Sequence, residues 1–89
     1  MSLLYFYGKE CPHCRIVEKH LSKLLFEEGI QAEWLEVWHN DENLKRAEVY
    51  DAKFHCDGVP FLVNTENDTV LCGEVTYKEL LEWIKGKTQ

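Results

Sequence analysis

The stretch that decides the predicted fold is residues 3–25, which reads LLYFYGKECPHCRIVEKHLSKLL. Its first five residues form a continuous apolar and aromatic run that ends at Gly8, a pattern typical of a strand buried on both faces. After the two cysteines, apolar residues recur at helical spacing, and Gly29 is a suitable C-terminal cap for a helix of about four turns. The positions predicted to face inward on this helix are Ile16, Val17, Leu21, Leu24 and Leu25. The stretch therefore predicts a strand that leads directly into a helix, with both cysteines at the junction.

A second strand and a second helix follow in the pattern. Residues 32–38 alternate between apolar and polar side chains, although imperfectly, as in a half-buried strand. Asn40 or Asp41 is a suitable N-cap for a helix that runs to about Ala52. The inward positions of this helix are Leu44, Ala47 and Tyr50.

The last third of the chain predicts a hairpin and a third helix. Residues 59–64 form a strand entered through a proline, and residues 69–72 form its partner across a polar turn. Thr76 and Glu79 have the spacing of a capping box, which predicts a helix start. The apolar face of this helix comprises Tyr77, Leu80, Leu81 and Ile84, and the three tryptophans, Trp34, Trp38 and Trp83, are expected in the core or at its flank. The predicted order is β-α-β-α-β-β-α, in a single domain over residues 1–89.

Composition and charge exclude several classes of function. The 89 residues carry 16 acidic and 10 basic side chains, a net charge of -6, which argues against nucleic acid and anionic membranes as partners. No apolar run reaches the roughly 20 residues that a membrane-spanning helix needs. The N-terminal residues lack the basic flank and cleavage site of a signal peptide, so a cytoplasmic location is expected. The chain is also expected to be a monomer.

The motif Cys11-Pro12-His13-Cys14 predicts a reactive thiol. Pro12 suits the first helical position, which places Cys11 at the N-cap. Its sulfur then faces the free amides of the first turn and the positive end of the helix dipole, which stabilise a thiolate. His13 is expected to add a donor beside the same sulfur. We therefore expect the pKa of Cys11 to fall to roughly 4–6.5 from the ordinary value of about 8.5.

Cys14 lies one helical turn after Cys11, so the two sulfurs can meet. Cys14 is expected to be more buried and less acidic. Such a pair supports a two-step exchange, in which Cys11 attacks a disulfide and Cys14 resolves the mixed disulfide. Because the Cys11 thiolate is stabilised, we expect a reduction potential between roughly -120 and -230 mV.

The strand, the motif and the helix together resemble the active site of the thioredoxin superfamily, and of the glutaredoxins in particular. The resemblance spans essentially the whole chain and implies an α/β fold of the minimal glutaredoxin type, with a four-stranded mixed sheet flanked by helices. True thioredoxins carry Asp where this chain has Tyr5 and Trp where it has Glu10. The resemblance implies that Val59-Pro60 has a cis bond and that the Val59 backbone pairs with an extended substrate.

The resemblance also implies substrates and further binding residues. Substrates would be disulfide-containing proteins or glutathione, with a reductase of unspecified type as recycling partner and no bound cofactor. Substrate-binding residues would include Tyr7, Lys9 and Gly73, with Lys9 available for a carboxylate. Where glutaredoxins carry Tyr in the motif, Thr before Val-Pro and a Gly-Gly stretch, this chain has His13, Gly58 and Cys72-Gly73-Glu74.

The sequence leaves alternatives open for the cysteines. Cys11 and Cys14, with or without Cys56, could instead hold zinc or an iron–sulfur cluster. A catalytically inert interaction domain is a further alternative. Cys56 and Cys72 are expected to be small buried hydrophobic residues. Two other hypotheses are that Cys56 is an auxiliary thiol near Cys11, or that Cys56 and Cys72 form a disulfide with each other.

Overall fold

The computed structural model describes residues 3–86, so that residues 1–2 and 87–89 of the predicted domain lie outside the described part. The elements follow one another along the chain in the predicted order. They are β1 (Leu3–Tyr7), α1 (Pro12–Glu28), β2 (Glu33–Glu36), α2 (Asp41–Phe54), β3 (Phe61–Asn64), β4 (Thr69–Cys72) and α3 (Tyr77–Ile84).

The strands form a four-stranded mixed sheet in the order β2-β1-β3-β4. β1 lies inside the sheet, parallel to β2 and antiparallel to β3. β3 and β4 form the predicted hairpin, in which Phe61 is opposite Cys72. The predicted α/β fold class, with its mixed sheet flanked by helices, is confirmed.

Alternation along β1 divides the core into two layers. Leu3 and Tyr5 face α1 and α3, whereas Leu4 and Phe6 face α2. Trp83 is 2% exposed in the first layer, and Ala47 is the buried residue of α2 in the second. A strand covered on both faces explains why residues 3–7 are apolar at every position.

Local signals at the helix ends are largely as predicted. Gly29 has a φ of 65° and ends α1, and its amide donates to the Leu25 carbonyl. Asn40 caps α2. Thr76 and Glu79 form the complete capping box of α3. α2 extends two residues beyond the predicted end at Ala52, because His55 adopts the left-handed conformation and caps it.

Several expected positions were wrong. β2 is shorter than residues 32–38, and β3 begins at Phe61, after the proline. Ile16 and Leu44 were expected to face inward, but they are 43% and 39% exposed. The reason is that β1 and β2 are only five and four residues long. Such short strands cover only part of the apolar stripe of each helix, so some residues of the stripe stay exposed. Trp34 and Trp38 are exposed and flank the core, which is one of the two placements expected for them.

Within residues 3–86, no helix has both the length and the apolar character required to cross a membrane.

Candidate functional site

Cys11 and Cys14 lie at the start of α1, where the sequence predicts them. Cys11 is the N-cap, Pro12 occupies the first turn, and the amide of Cys14 donates to Cys11 Sγ at 3.2 Å. The two cysteines form a disulfide with Cα atoms 5.2 Å apart. Cys14 is completely buried, and Cys11 retains 4% exposure. Access to this disulfide is therefore from the Cys11 side.

The loop before the motif is held through its backbone carbonyls. The Arg15 guanidinium donates to the carbonyls of Lys9 at 2.7 Å and Gly8 at 3.2 Å. The Cys11 amide donates to the same Gly8 carbonyl at 3.1 Å. A β-carbon on Gly8 would lie 2.3 Å from the Trp38 ring, so only glycine fits there. Arg15, which the sequence suggests only as a nearby charge, acts in the structure as a clamp on this loop.

A single carboxylate ties this loop to the segment after β2. Glu36 accepts hydrogen bonds from the backbone amides of Lys9 at 2.8 Å, Trp38 at 3.2 Å and His39 at 2.7 Å. Desolvation disfavours the charged carboxylate, but the three amides outweigh it and lower the pKa of Glu36. Glu36 carries no local sequence signal for this role, because nothing near it shows that a strand-end carboxylate reaches a loop 27 residues earlier.

Glu10 and His39 form a second tie beside Cys11. His39 Nε2 lies 2.8 Å from Glu10 Oε1 on the protein surface. The hydrogen bond from Glu10 and its charge raise the pKa of His39 above the ordinary value of 6.5. His39 is a site neighbour that no sequence motif indicates.

Tyr5 supports the motif from the core. Its hydroxyl lies 3.0 Å from both the Cys14 carbonyl and Glu18 Oε2, which places a polar group directly beneath the first helical turn. Burial, with the Glu18 carboxylate, raises the pKa of Tyr5 far above its ordinary value, so the hydroxyl stays protonated. The chain thus has a neutral donor where thioredoxins, by the resemblance, carry Asp.

The His13 ring contacts Glu74. Its Nδ1 lies 2.8 Å from Glu74 Oε1, and the side chains are 69% and 44% exposed. His13 was expected to donate to the Cys11 sulfur, but its ring instead pairs with a carboxylate on the loop after β4. In the sequence, Glu74 stands out only as part of a departure from the glutaredoxin pattern.

Val59 and Pro60 lie at the entrance to β3, and the peptide bond between them is cis. Pro60 is buried, Val59 is half-buried, and the Pro60 carbonyl accepts a hydrogen bond from the Gly73 amide at 2.8 Å. A groove of about 130 Å³ adjoins Val59. It is lined mainly by apolar residues, including Val37, Trp38, Leu44 and Phe61, with Glu48 and Asp51 at its side. The predicted residues Val59, Pro60 and Gly73 therefore lie together.

The two remaining predicted residues are in the strand and loop before the motif. Tyr7 is half-buried and stacks on Tyr5 at 5.3 Å between ring centroids, with the Arg15 guanidinium 5.8 Å from its ring. Lys9 is exposed.

The expectation that Cys56 and Cys72 are small buried hydrophobic residues was wrong. Cys72 is exposed and Cys56 half-buried, and the two form a disulfide with Cα atoms 5.2 Å apart. Register explains the pairing: Cys72 lies opposite Phe61, and Cys56 lies in the loop that leads into β3. Since Cys56 is bonded to Cys72, it is not an auxiliary thiol for Cys11 here. Among residues 3–86, no group of three or more His, Cys, Asp or Glu side chains could hold a metal ion.

Comparison with known proteins places this geometry in a family. No family model matches the chain. A protein of Archaeoglobus fulgidus named "Probable Thioredoxin" is 37% identical over 83 residues, which cover 91% of this chain and 86% of that protein. Thioredoxin-2 of the malaria parasite, described as a component of its protein secretion machinery, superposes with a TM-score of 0.61 at 26% identity. The superposition covers 96% of this chain and 81% of the thioredoxin-2 chain. A second malarial protein has a TM-score of 0.61 at 25% identity, covering 99% and 97%. The chain belongs to the thioredoxin superfamily of thiol–disulfide oxidoreductases.

Proposed function

We propose that the protein exchanges dithiols and disulfides with protein substrates, with Cys11 as the nucleophile and Cys14 as the resolving cysteine. The observation that carries the proposal is the N-cap geometry, in which the Cys14 amide donates to Cys11 Sγ at 3.2 Å. A donor and the helix dipole stabilise the anionic form of Cys11 more than its thiol form. Cys14 lies behind Cys11, fully buried, as a resolving group should be.

The exchange balances with the chain's own sulfurs and those of the substrate. In the reducing direction, the Cys11 thiolate attacks one substrate sulfur, and the other leaves as a thiolate that takes up a proton. Cys14 loses its proton and attacks Cys11 Sγ. This step releases the substrate sulfur that was bonded to Cys11, and that sulfur then takes up a proton. The substrate gains two electrons and two protons, and the Cys11–Cys14 disulfide forms. No bound cofactor is needed, and a separate reductase must return the pair to the dithiol.

The surface around the motif supports a protein substrate. Val59 would offer its backbone to an extended segment of the substrate, which is the pairing that the resemblance implies. The adjoining groove would accept an apolar side chain from that segment. Gly73 and Tyr7 would complete the contact surface. Lys9 is exposed and could pair with a carboxylate, so glutathione remains a proposed alternative substrate of a glutaredoxin-type reaction.

The test is to trap the intermediate with an insulin substrate. In a Cys14→Ser variant, Cys11 should attack but remain attached, so that mixed disulfides accumulate and disappear on adding dithiothreitol. The matched control is Cys11→Ser, which retains the buried Cys14 and should trap none. Mass spectrometry of the complexes locates the bond. Equal trapping by both variants, or none by either, would refute the assignment of roles.

The acidity of Cys11 is a separate measurement. The thiolate absorbance near 240 nm is followed against pH in the reduced wild-type protein and in Cys11→Ser. The difference should show a pKa of roughly 4–6.5 for Cys11. A value at or above about 8.5 would mean that the amide and the dipole do not stabilise the anion.

A further inference from the structure

We propose that Cys56–Cys72 is a second redox site, a disulfide that small dithiols reduce in the folded protein. Its redox state controls how firmly the two segments that it joins are held, and these segments form a wall that faces the substrate. The part of this inference that concerns substrates rests on the proposed function. The wall comprises residues 55–60 and 72–74. It carries Val59 and Pro60 on one side and Gly73 and Glu74 on the other.

The first observation is accessibility. Cys72 is the last residue of β4 and is exposed, whereas Cys14 is completely buried and Cys11 nearly so. A thiolate must approach a disulfide sulfur directly to attack it, so exposure favours exchange at Cys72. The second disulfide therefore presents a sulfur-bearing residue to small reductants without any opening of the fold.

The second observation is what the bond holds. Cys56 lies four residues before Pro60, and its disulfide joins this loop to the end of β4. One residue farther on, the Gly73 amide donates to the Pro60 carbonyl at 2.8 Å. The disulfide and this hydrogen bond join the same two segments at neighbouring positions. If the disulfide is lost, the hydrogen bond must hold the two segments together without it.

The third observation is that the loop has an unfavourable backbone conformation. His55 and Asp57 have φ values of 59° and 60°, which residues with a β-carbon seldom adopt. Outside contacts must hold such a loop in place. Besides the disulfide, the Asp57 amide donates to the Asp51 side chain at 2.7 Å. Reduction removes the covalent tie, and the loop is then free to relax and carry Val59 with it.

The fourth observation connects this wall to the first disulfide. Glu74, two residues after Cys72, lies 2.8 Å from the His13 ring inside the Cys11–Cys14 motif. The wall that the second disulfide holds therefore lies directly beside the motif.

The reduction is an ordinary dithiol–disulfide exchange. One thiolate of dithiothreitol attacks Cys72 Sγ, and the Cys56 sulfur leaves and takes up a proton. The second thiol of the reagent loses its proton and attacks the first reagent sulfur, which releases Cys72 as a thiolate that is then protonated. The pair gains two electrons and two protons, and the reagent becomes its cyclic disulfide.

The first experiment isolates the second site and does not depend on the proposed function. A Cys11→Ser/Cys14→Ser variant is equilibrated with reduced and oxidised dithiothreitol in increasing ratio, alkylated and weighed by mass spectrometry, while circular dichroism monitors the fold. We expect two alkyl groups to be added together in one transition of the folded protein. Alkylation only after the fold is lost would overturn the proposal.

The second experiment tests the effect on substrates. A Cys56→Ser/Cys72→Ser variant is compared with the wild-type protein at a dithiothreitol ratio at which the first experiment leaves Cys56–Cys72 oxidised, and at a temperature where circular dichroism shows both to be folded. Insulin is the protein disulfide and hydroxyethyl disulfide the small one. We expect kcat/KM for insulin to fall by at least about fivefold. The value for hydroxyethyl disulfide should stay within about twofold.

The outcomes separate the two proposals. Equal values for insulin in both proteins, or an equal loss with both substrates, would overturn control of the wall by the second disulfide. If the wild-type protein reduces neither disulfide, the proposed function fails, and the dithiothreitol titration still decides whether Cys56–Cys72 is a redox site.

Discussion

The two disulfides of this protein form the same bond in different structural settings. Cys11–Cys14 spans three positions at the start of a helix, and an amide donor faces its first sulfur. Cys56–Cys72 spans 16 positions and joins a loop to the end of a strand, with one exposed residue. The first setting offers an amide donor to one sulfur, and the second ties two distant segments of the chain together. The comparison shows that the surroundings of a disulfide, more than the bond itself, determine what it does.

The largest expected effect separates the two disulfides by activity. Cys11→Ser should lower the rate of insulin reduction by at least about 10,000-fold, since it removes the attacking atom. The matched variant is Cys56→Ser/Cys72→Ser, which leaves the nucleophile in place and should keep most of its exchange with small disulfides. If Cys11→Ser still reduces insulin, the two disulfides do not differ in activity as proposed.

The next effect separates them by stability. Closing a loop of about 15 residues stabilises a fold by about 3 kcal/mol, because it restricts the unfolded chain. Cys56→Ser/Cys72→Ser should therefore lower the free energy of unfolding by about 3 kcal/mol. The Cys11–Cys14 bond closes a much shorter loop, and serine at position 11 still provides an N-cap side chain. Cys11→Ser/Cys14→Ser should therefore lower the free energy of unfolding by about 2 kcal/mol or less. Urea unfolding without reductant measures both, and a larger loss for the second variant would reverse the comparison.

A smaller effect tests the support beneath the first disulfide. Tyr5→Phe removes the hydroxyl that contacts Cys14 and Glu18, and we expect a loss of about 1 kcal/mol in unfolding free energy. The same loss should appear in the Cys56→Ser/Cys72→Ser background, since the two supports share no partner. Tyr50→Phe, in the other core layer, is the control. Strong non-additivity in urea unfolding would show that the two disulfide regions are coupled through the core.

The smallest effect concerns pH at the edge of the first site. Because Glu10 raises the pKa of His39, the ion pair stabilises the fold below pH 6.5 and is lost as the pH rises through the higher folded value. NMR titration of His39 should give a midpoint above 6.5, and Glu10→Gln should lower it. Glu28→Gln, at the opposite end of α1, should leave it unchanged. A midpoint that does not respond to Glu10→Gln would contradict the pairing.

Much of the fold could be predicted because its signals are local. The continuous apolar run of β1, the N-cap at Cys11 and the capping box of Thr76 and Glu79 depend on neighbours within a few residues. Errors arose where exposure depends on what covers a surface. Ile16 continues a helical stripe, but nothing in its neighbourhood says that the sheet ends before covering it.

Residue spacing alone predicted the candidate site along one segment of chain, and the family resemblance added Val59, Pro60 and Gly73. Cys11, Pro12 and Cys14 lie where a helix start must put them. The partners of that segment come from elsewhere: Glu36 from the end of β2 and Glu74 from the loop after β4. Neither residue carries a local signal, since any exposed carboxylate has the same pattern.

The sequence by itself determined the strand, the helix that follows it and the placement of one cysteine against the first helical amides, because hydrogen bonding and side-chain periodicity act over a few residues. Only the tertiary structure decided that Cys56 meets Cys72, that the His13 ring reaches Glu74 and that Glu36 holds the loop before the motif. These contacts depend on the order and register of the strands. Burial of the whole core sets that order, and no short stretch of chain contains it.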